Sequence, residues 1–299
     1  MTFAFSVSQI TKRHPSFALG PIDLALPEGE IMGLVGVNGA GKTTLLRLLA
    51  GIAAPDSGSV EVLGHLLPDA QVSARRDIAF ASEDMRLYAS KDLAWHISFV
   101  RKLVPQWDAA YEKTLLRRFD LRTDQPVGGF SHGQRVKALL LLCLARQPKL
   151  LLLDEPTTGL DPVARVEVLE ALADVLRDDR RSVLFSSHQT HDVEQLADRI
   201  TMLDAGRVVA SASKDDFIDS WRRVICQGGD LSAVAAWPEV VQMRQSGNQC
   251  ELKVSVWTEG LRARLSAEGV DVLRVDSMPL EEIFVSSVRA RAASKQVNT

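Results

Sequence analysis

The sequence predicts an α/β fold whose buried parallel strands end in polar residues, and three stretches support this prediction. The apolar residues 31–35 precede a glycine-rich turn and the helix-like residues 45–50. The four leucines 150–153 are typical of a strand buried on both faces, as central parallel strands are, and two acids follow them. Residues 182–188 predict another buried strand, which ends in a histidine. Because open α/β sheets bind ligands at the carboxyl ends of their strands, we expect the functional site there.

The composition is that of a globular chain with a full core: 299 residues, of which 46% are hydrophobic, with a formal net charge of −3. This charge argues against a protein that binds nucleic acid through a broad basic surface, so we expect no nucleic-acid partner. The longest strongly apolar run, residues 138–145, is far shorter than the about 20 residues of a membrane-spanning helix. The three cysteines are unclustered, as expected in a reducing cytosol.

The N-terminal segment predicts a small β-rich lobe. Residues 3–7 and 22–26 alternate like short strands, and residues 12–15 supply a turn. His14 or Phe17, near this turn, is a candidate for stacking on a nucleotide base, although a lone aromatic ring near a turn is more often packed or exposed.

Residues 36–44 predict a phosphate-binding loop, because they fit the pattern G-x-x-x-x-G-K-[ST] between a buried strand and a helix. The glycines let backbone amides close around phosphate oxygens, at which the helix directs its positive end. We expect Lys42 to reach the β- and γ-phosphates, the Thr43 hydroxyl to bind Mg²⁺ and Thr44 to lie near the α-phosphate. The candidate residues of this loop are Gly36, Val37, Asn38, Gly39, Ala40, Gly41, Lys42, Thr43 and Thr44.

A helical region follows two further predicted strands, residues 59–64 and 77–83. Glu83, at the exit of the second strand, could help to hold Mg²⁺ or its water, although a loop glutamate is usually only solvated. Residues 90–121 have apolar stripes at helical spacing. Ser131 is a credible N-cap for an apolar helix over 136–146, and Gly133 would let a ligand approach the backbone.

The predicted buried strands 150–153 and 182–188 deliver the candidate catalytic groups. Two carboxylates at one strand end indicate that a cation binds or a proton is transferred there. Asp154 fits a Mg²⁺ ligand, and Glu155 fits a base for an attacking water. His188 ends the next strand, where a lone histidine is more often structural.

The C-terminal segment predicts a separate, small α/β domain. Its patterns indicate strands over 250–256 and 270–275, helices over 258–269 and 280–288, and a polar tail. The predicted organisation is a phosphate-binding domain over 1–220 with a helical subdomain at about 88–147, a small α/β domain over 221–290 and a flexible tail over 291–299.

Five segments, in their order and spacing, resemble the motifs of an ATP-binding cassette (ABC) ATPase. They correspond to the Walker A, signature, Walker B, D-loop and switch-histidine motifs, and the resemblance covers about residues 3–220. These segments are residues 36–44, 130–134, 150–156, 159–161 and His188. The chain is most similar to the separate nucleotide-binding subunits of bacterial exporters, so the resemblance implies a P-loop NTPase core with a β-rich lobe, a helical subdomain and a C-terminal α/β appendix.

The resemblance implies an enzyme that binds ATP and Mg²⁺ and hydrolyses ATP to ADP and phosphate to drive export. Its implied partners are a membrane permease and a second ATPase subunit, identical or different, and its implied location is cytoplasmic, on the inner face of the membrane. Glu155 and His188 would be catalytic, and Thr43, Glu83 and Asp154 would hold the metal. The nucleotide would also contact Ser131, Gly133, Gln134 and Asp161, of which Ser131 and Gly133 act across the dimer.

Three departures and one alternative accompany this resemblance. Glu83 replaces the glutamine that many members have, His132 replaces the commonest glycine of the signature, and the base-stacking aromatic is left to His14 or Phe17. The alternative is a soluble, non-transport ABC ATPase or an ATP-dependent regulatory protein. The sequence lacks the long heptad insertion of the repair and chromosome members, the tandem cassettes of translation factors and the Asn-Lys-x-Asp motif of GTPases.

Overall fold

The computed structural model describes residues 2–175, 181–229 and 231–297, with side chains as far as residue 291. The chain divides into two compact units, Met1–Ala210 and Ser211–Thr299. The predicted limit of the ATP-binding domain at residue 220 stays a prediction.

The strands of the first unit form two sheets. One is a four-stranded antiparallel sheet in the order β2-β1-β4-β5, and the other has six strands in the order β10-β9-β3-β8-β7-β6. The strands are β1 (Phe3–His14), β2 (Phe17–Pro27), β3 (Ile31–Val35), β4 (Ser57–Val62), β5 (His65–Leu67), β6 (Ile78–Ser82), β7 (Leu150–Asp154), β8 (Ser182–Ser187), β9 (Arg199–Asp204) and β10 (Arg207–Ser213), which begins in the first unit and ends in the second.

Two helices of the first unit begin at aspartate N-caps. Asp92 caps α3 by accepting from Trp95 N at 2.7 Å, and Asp108 caps α4 by accepting from Ala110 N and Tyr111 N. The helices are α1 (Lys42–Leu49), α2 (Gln71–Asp77), α3 (Leu93–Leu103), α4 (Ala109–Arg118), α5 (His132–Leu144), α6 (Pro162–Val175) and α7 (Thr190–Leu196). In the described parts of the chain, no helix is long and apolar enough to cross a membrane.

The second unit has a single four-stranded antiparallel sheet in the order β12-β13-β11-β14. Its core contains buried residues from β11 and β13 and from the helix α10, such as Val224, Leu252 and Leu265. The elements are α8 (Lys214–Ser220), β11 (Arg222–Gln227), α9 (Leu231–Ala235), β12 (Val240–Ser246), β13 (Gln249–Val254), α10 (Glu259–Ala267), β14 (Asp271–Ser277) and α11 (Leu280–Val297).

The predicted α/β fold class is confirmed: the strands β9, β3, β8, β7 and β6 are adjacent and parallel in the larger sheet, with β3, β8 and β7 between β9 and β6. The strands β1 and β2 are longer than the segments predicted for them, because cross-strand pairing holds polar residues as far as His14 opposite Phe17. The helix α11 extends into the segment predicted as a flexible tail, of which residues 298 and 299 lie outside the described chain.

The strand β7 gives a direct test of this core. Leu152 is fully buried, so Leu152→Ala should lower the free energy of unfolding of the first unit by about 2–5 kcal/mol, through lost transfer free energy and a residual cavity. The control is Leu66→Ala at a side chain that is 52% exposed, for which we expect a change below about 0.5 kcal/mol. Equal effects of the two changes in urea denaturation would contradict the placement of β7.

Candidate phosphate-binding and catalytic site

The register of the parallel strands brings the site together. Ser82 of β6 pairs with Asp154 of β7, and Asp154 pairs with Ser186 of β8. Since the strands are parallel, the residues that follow these positions lie at the same edge of the sheet. They include Glu83, Glu155, His188 and the loop that starts at Gly36.

The phosphate-binding loop has a buried lysine at its centre. Lys42 Nζ donates to the carbonyl oxygens of Gly36 at 2.7 Å and Val37 at 3.3 Å. Gly41 is the N-cap of α1 with a φ of 106°, and a Cβ on it would lie 2.7 Å from Phe17 Cζ. Only glycine fits this left-handed, crowded position. Gly41 therefore lets the phosphate-binding loop continue directly into the first turn of α1.

The loop lines an open cleft of about 620 Å³. The carboxylates that also line it are those of Glu83, Asp84, Asp154 and Glu155. Its size and its ring of loop residues suit a nucleotide whose phosphates lie against the helix N-terminus. The predicted loop residues that line it are Asn38, Gly39, Ala40, Gly41, Lys42, Thr43 and Thr44.

The oxygen atoms expected to hold Mg²⁺ are adjacent. Thr43 Oγ1 donates to Asp154 Oδ2 at 2.6 Å, and the exposed Glu83 lines the same cleft. Within the described residues, no group of three or more His, Cys, Asp or Glu side chains gathers as a metal site. A hydroxyl and one or two carboxylates fit Mg²⁺, which takes its other oxygens from phosphates and water.

Glu155 has an unusual backbone conformation that its neighbours hold in place. Its φ of 54° lies in the left-handed region, which residues other than glycine seldom adopt. Glu155 N donates to Ser186 Oγ at 3.0 Å, and this hydroxyl donates to Asp154 Oδ1 at 2.7 Å. One buried serine therefore fixes both acids of the pair.

The Glu155 carboxylate is surrounded by donors. Lys42 Nζ lies 3.1 Å from Oε1, whereas Thr158 Oγ1 donates to Oε2 at 2.9 Å and His188 Nδ1 lies 2.7 Å from the same oxygen. Because a carboxylate only accepts, His188 Nδ1 carries the proton. Burial acts to raise the pKa of Glu155, but the charge of Lys42 and the hydrogen bonds from Thr158 and His188 outweigh it, so the pKa is lowered.

The predicted signature residues are engaged in capping. Ser131 Oγ accepts from Gln134 N at 3.2 Å, and Ser131 N donates to Gln134 Oε1 at 2.9 Å, which completes a capping box for α5. Neither these residues nor Gly133 line the cleft of their own chain.

Asp161 also has a structural role in this chain. Its Oδ1 accepts from Ala164 N at 2.9 Å and from Val163 N at 3.0 Å, in the first turn of α6. These hydrogen bonds, the one from Ala164 first, lower the pKa of Asp161.

The two aromatic candidates for stacking on a base differ in their position relative to the cleft. Phe17 lines the cleft and touches the phosphate-binding loop at Gly41. His14 is not among the lining residues and packs against Phe17, with ring centroids 6.3 Å apart. Phe17 is therefore better placed for a base than His14.

Sequence reasoning missed the residues that support the acid pair. Ser186 and Thr158 contact Glu155, and the fully buried Asp192 accepts from Thr157 Oγ1 at 2.6 Å and Arg165 Nε at 2.7 Å. The only local signal was polar residues at the end of an otherwise buried strand, which could have pointed to Ser186.

Comparison with known proteins identifies the family of this chain. The sequence model of the family described as "ABC transporter" matches residues 19–158. The daunorubicin resistance ATP-binding protein DrrA3 of Streptomyces coeruleorubidus is 34% identical over 78% of this chain and 77% of its own length. The Nod factor export ATP-binding protein I of Rhizobium meliloti (strain 1021) is 30% identical over 95% of this chain and 88% of its own.

A solved structure, described as the ATP binding subunit of an ABC transporter, is also similar. It superposes with a TM-score of 0.67 at 28% identity, over 72% of this chain and 92% of its own. The fold and the phosphate-binding loop are therefore those of ABC ATP-binding subunits.

The lowered pKa of Glu155 predicts a pH dependence of stability. The unfolded carboxyl has its ordinary value near 4.5, so the stabilisation by Lys42, Thr158 and His188 is complete above that pH and is lost as the pH falls through the lowered folded value. The difference in unfolding free energy between the wild type and Glu155→Gln should shrink accordingly between pH 7 and pH 3.5 in urea titrations. A difference that grows on acidification would contradict the assignment. Glu83→Gln, at an exposed carboxylate, is the control and should change stability at neutral pH by less than about 0.5 kcal/mol.

Proposed function

This chain belongs to the family of ABC transporter ATP-binding subunits, which are ATPases, and we propose that it hydrolyses MgATP to drive export through a separate permease. The single observation that carries this proposal is the Glu155 carboxylate, which is held by Lys42, Thr158 and His188 beside the phosphate-binding loop. Lys42 would serve as a phosphate-binding cation and Glu155 as an oriented base, and both lie at one edge of the sheet.

Lys42 has two roles in the proposed reaction. With its present contacts it neutralises Glu155 and donates to the loop carbonyls. A γ-phosphate in the cleft would compete with Glu155 for this ammonium group. When Lys42 turns to the phosphate, its charge no longer lowers the pKa of Glu155, whereas burial still raises that pKa. Glu155 therefore becomes a stronger base as ATP binds.

The attacking water would be oriented by Glu155, and His188 fixes the carboxylate through Nδ1. Thr43 and Asp154 would hold Mg²⁺, with Glu83 at the edge of the cleft. When bound, Mg²⁺ supplies positive charge to the β- and γ-phosphate oxygens. Phe17 would contact the adenine base in place of the predicted His14.

The second wall of the nucleotide site would come from another subunit. Ser131, Gly133 and Gln134 lie at the start of α5 but do not line the cleft of their own chain. Ser131 N and Gln134 N are engaged in the capping box, whereas the backbone amides of His132 and Gly133 in the same turn would be available to a phosphate that approaches from outside. We therefore place these residues, with Asp161, against the nucleotide of a second ATPase subunit.

Export is supported by the two relatives, one of which is named for drug resistance and the other for export. The permease would hold this subunit at the inner face of the membrane. Residues 1–220 would form the ATP-binding domain, with the helical subdomain at 88–147, and residues 221–290 would form the small accessory domain.

Two substitutions separate binding from chemistry. Glu155→Gln should lower the turnover of ATP by about 10²–10⁴-fold and retain or tighten ATP binding, because glutamine has a similar shape but is a poor base. Lys42→Ala should weaken both, because the ammonium group serves the bound state and the transition state. Phosphate release and equilibrium binding of a fluorescent ATP analogue measure the two effects.

The matched control is Glu61→Gln, at an exposed glutamate of β4. It should leave turnover and binding unchanged. Turnover of Glu155→Gln within about twofold of the wild type would exclude Glu155 as the base and would make His188 the next residue to test.

The proposed dimer makes a separate prediction. Glu155→Gln with MgATP should shift from monomer to dimer in light scattering, because ATP is retained and each site needs the partner's first turn of α5. Adding Ser131→Trp should prevent the shift without loss of ATP binding to the monomer. A Glu155→Gln protein that binds ATP and stays monomeric at saturation would contradict a homodimer and indicate a different second subunit.

A further inference from the structure

We propose that His132 is a positioning residue for Glu155 of its own subunit, acting through Thr158. The proposal rests on the proposed function, since it deepens the account of the same site. It concerns a side chain in the first turn of α5 that lies outside the cleft.

The first link is a hydrogen bond between two elements. His132 Nε2 lies 2.9 Å from the carbonyl oxygen of Thr158. A carbonyl only accepts, so Nε2 carries the proton and donates. This bond ties the start of α5 to the turn that follows Glu155 and Pro156.

The second link is close packing of the same ring. Gly159 has a φ of 70°, and a Cβ on it would lie 3.1 Å from His132 Nε2 and 3.3 Å from His132 Cδ2. The imidazole therefore lies directly against the backbone of Gly159. Hydrogen bonding and packing together hold the segment of Thr158 and Gly159 against the helix.

The third link leads from Thr158 to the base. Thr158 Oγ1 donates to Glu155 Oε2 at 2.9 Å, and Thr158 N donates to Glu155 O at 3.3 Å. Both ends of Glu155 therefore depend on the position of Thr158. Because Glu155 has a left-handed backbone, the conformation needs such outside support.

The helix that carries His132 is itself fixed. Its capping box involves Ser131 and Gln134, and Lys137 forms an ion pair with Glu167 of α6. The first turn of α5 is therefore a firm support, and His132 connects this support to Thr158 and, through Thr158, to Glu155. A glycine at position 132 would make neither contact.

The test compares two replacements of similar length. His132→Gln can place an amide Nε2 at the same number of bonds from Cα and donate to the Thr158 carbonyl, whereas His132→Met fills space without a donor. We expect His132→Met to lower kcat of ATP hydrolysis by about fivefold, the value of one hydrogen bond, with KM changed by less than about twofold. His132→Gln should restore kcat to within about twofold of the wild type. An unchanged kcat in His132→Met, or an equal loss in both variants, would overturn the proposal.

A double-mutant cycle tests the route through Thr158. Thr158→Val removes the hydroxyl that donates to Glu155 with little change of shape, and it should also lower kcat. If His132 acts through Thr158, adding His132→Met to Thr158→Val should cause little further loss. Multiplicative losses of kcat would overturn this route.

A measurement without nucleotide separates this proposal from the proposed function. Hydrogen exchange followed by mass spectrometry should show faster exchange of the peptide over residues 157–160 in His132→Met and wild-type rates in His132→Gln. Equal exchange in all three proteins would overturn the link. If the wild type lacks ATP hydrolysis altogether, the proposed function fails, while the exchange result still decides whether His132 positions Thr158.

Discussion

The backbone turn at Glu155 determines the geometry of the whole site. The strand β7 is buried on both faces and pairs on both sides, so Asp154 at its end has a fixed position. The chain then enters a left-handed conformation at Glu155, where Ser186 bonds to its amide and to the Asp154 carboxylate. A strained residue needs such support from rigid neighbours. The sheet register therefore fixes the positions of both the proposed metal ligand, Asp154, and the proposed base, Glu155.

Charge at the same point links phosphate binding to catalysis. Lys42 and Glu155 form a mostly buried ion pair, in which each group lowers the cost of burying the other. In the proposed reaction a phosphate would offer Lys42 a second anion, so the carboxylate would gain basicity only when the substrate is present. His188 and Thr158 keep the carboxylate oriented throughout this exchange. The arrangement explains how a base with a lowered pKa can still serve hydrolysis.

The local patterns predicted what depends on neighbours in sequence: the buried β7, the phosphate-binding loop and the Ser131 cap of α5. They did not predict the contacts of Ser186, His132 and Thr158, because these depend on strand register and on helix packing across distant segments. The same reason explains the long β1, whose polar residues are held by pairing with β2. His14 was a candidate from its type and position, whereas the structure places Phe17 in the cleft. Whether these residues act on a nucleotide stays a prediction.

The central claim is that the Ser186 hydroxyl holds Asp154 and Glu155 for catalysis. The most direct measurement is the single-turnover rate of cleavage of bound ATP in Ser186→Ala, compared with Ser187→Ala, the adjacent buried serine, whose hydroxyl contacts Gln189. We predict that Ser186→Ala lowers the rate by at least about tenfold and that Ser187→Ala keeps the wild-type rate. The affinity of Ser186→Ala for ATP, measured without Mg²⁺, should stay within about twofold of the wild type. A wild-type cleavage rate in Ser186→Ala would contradict the account.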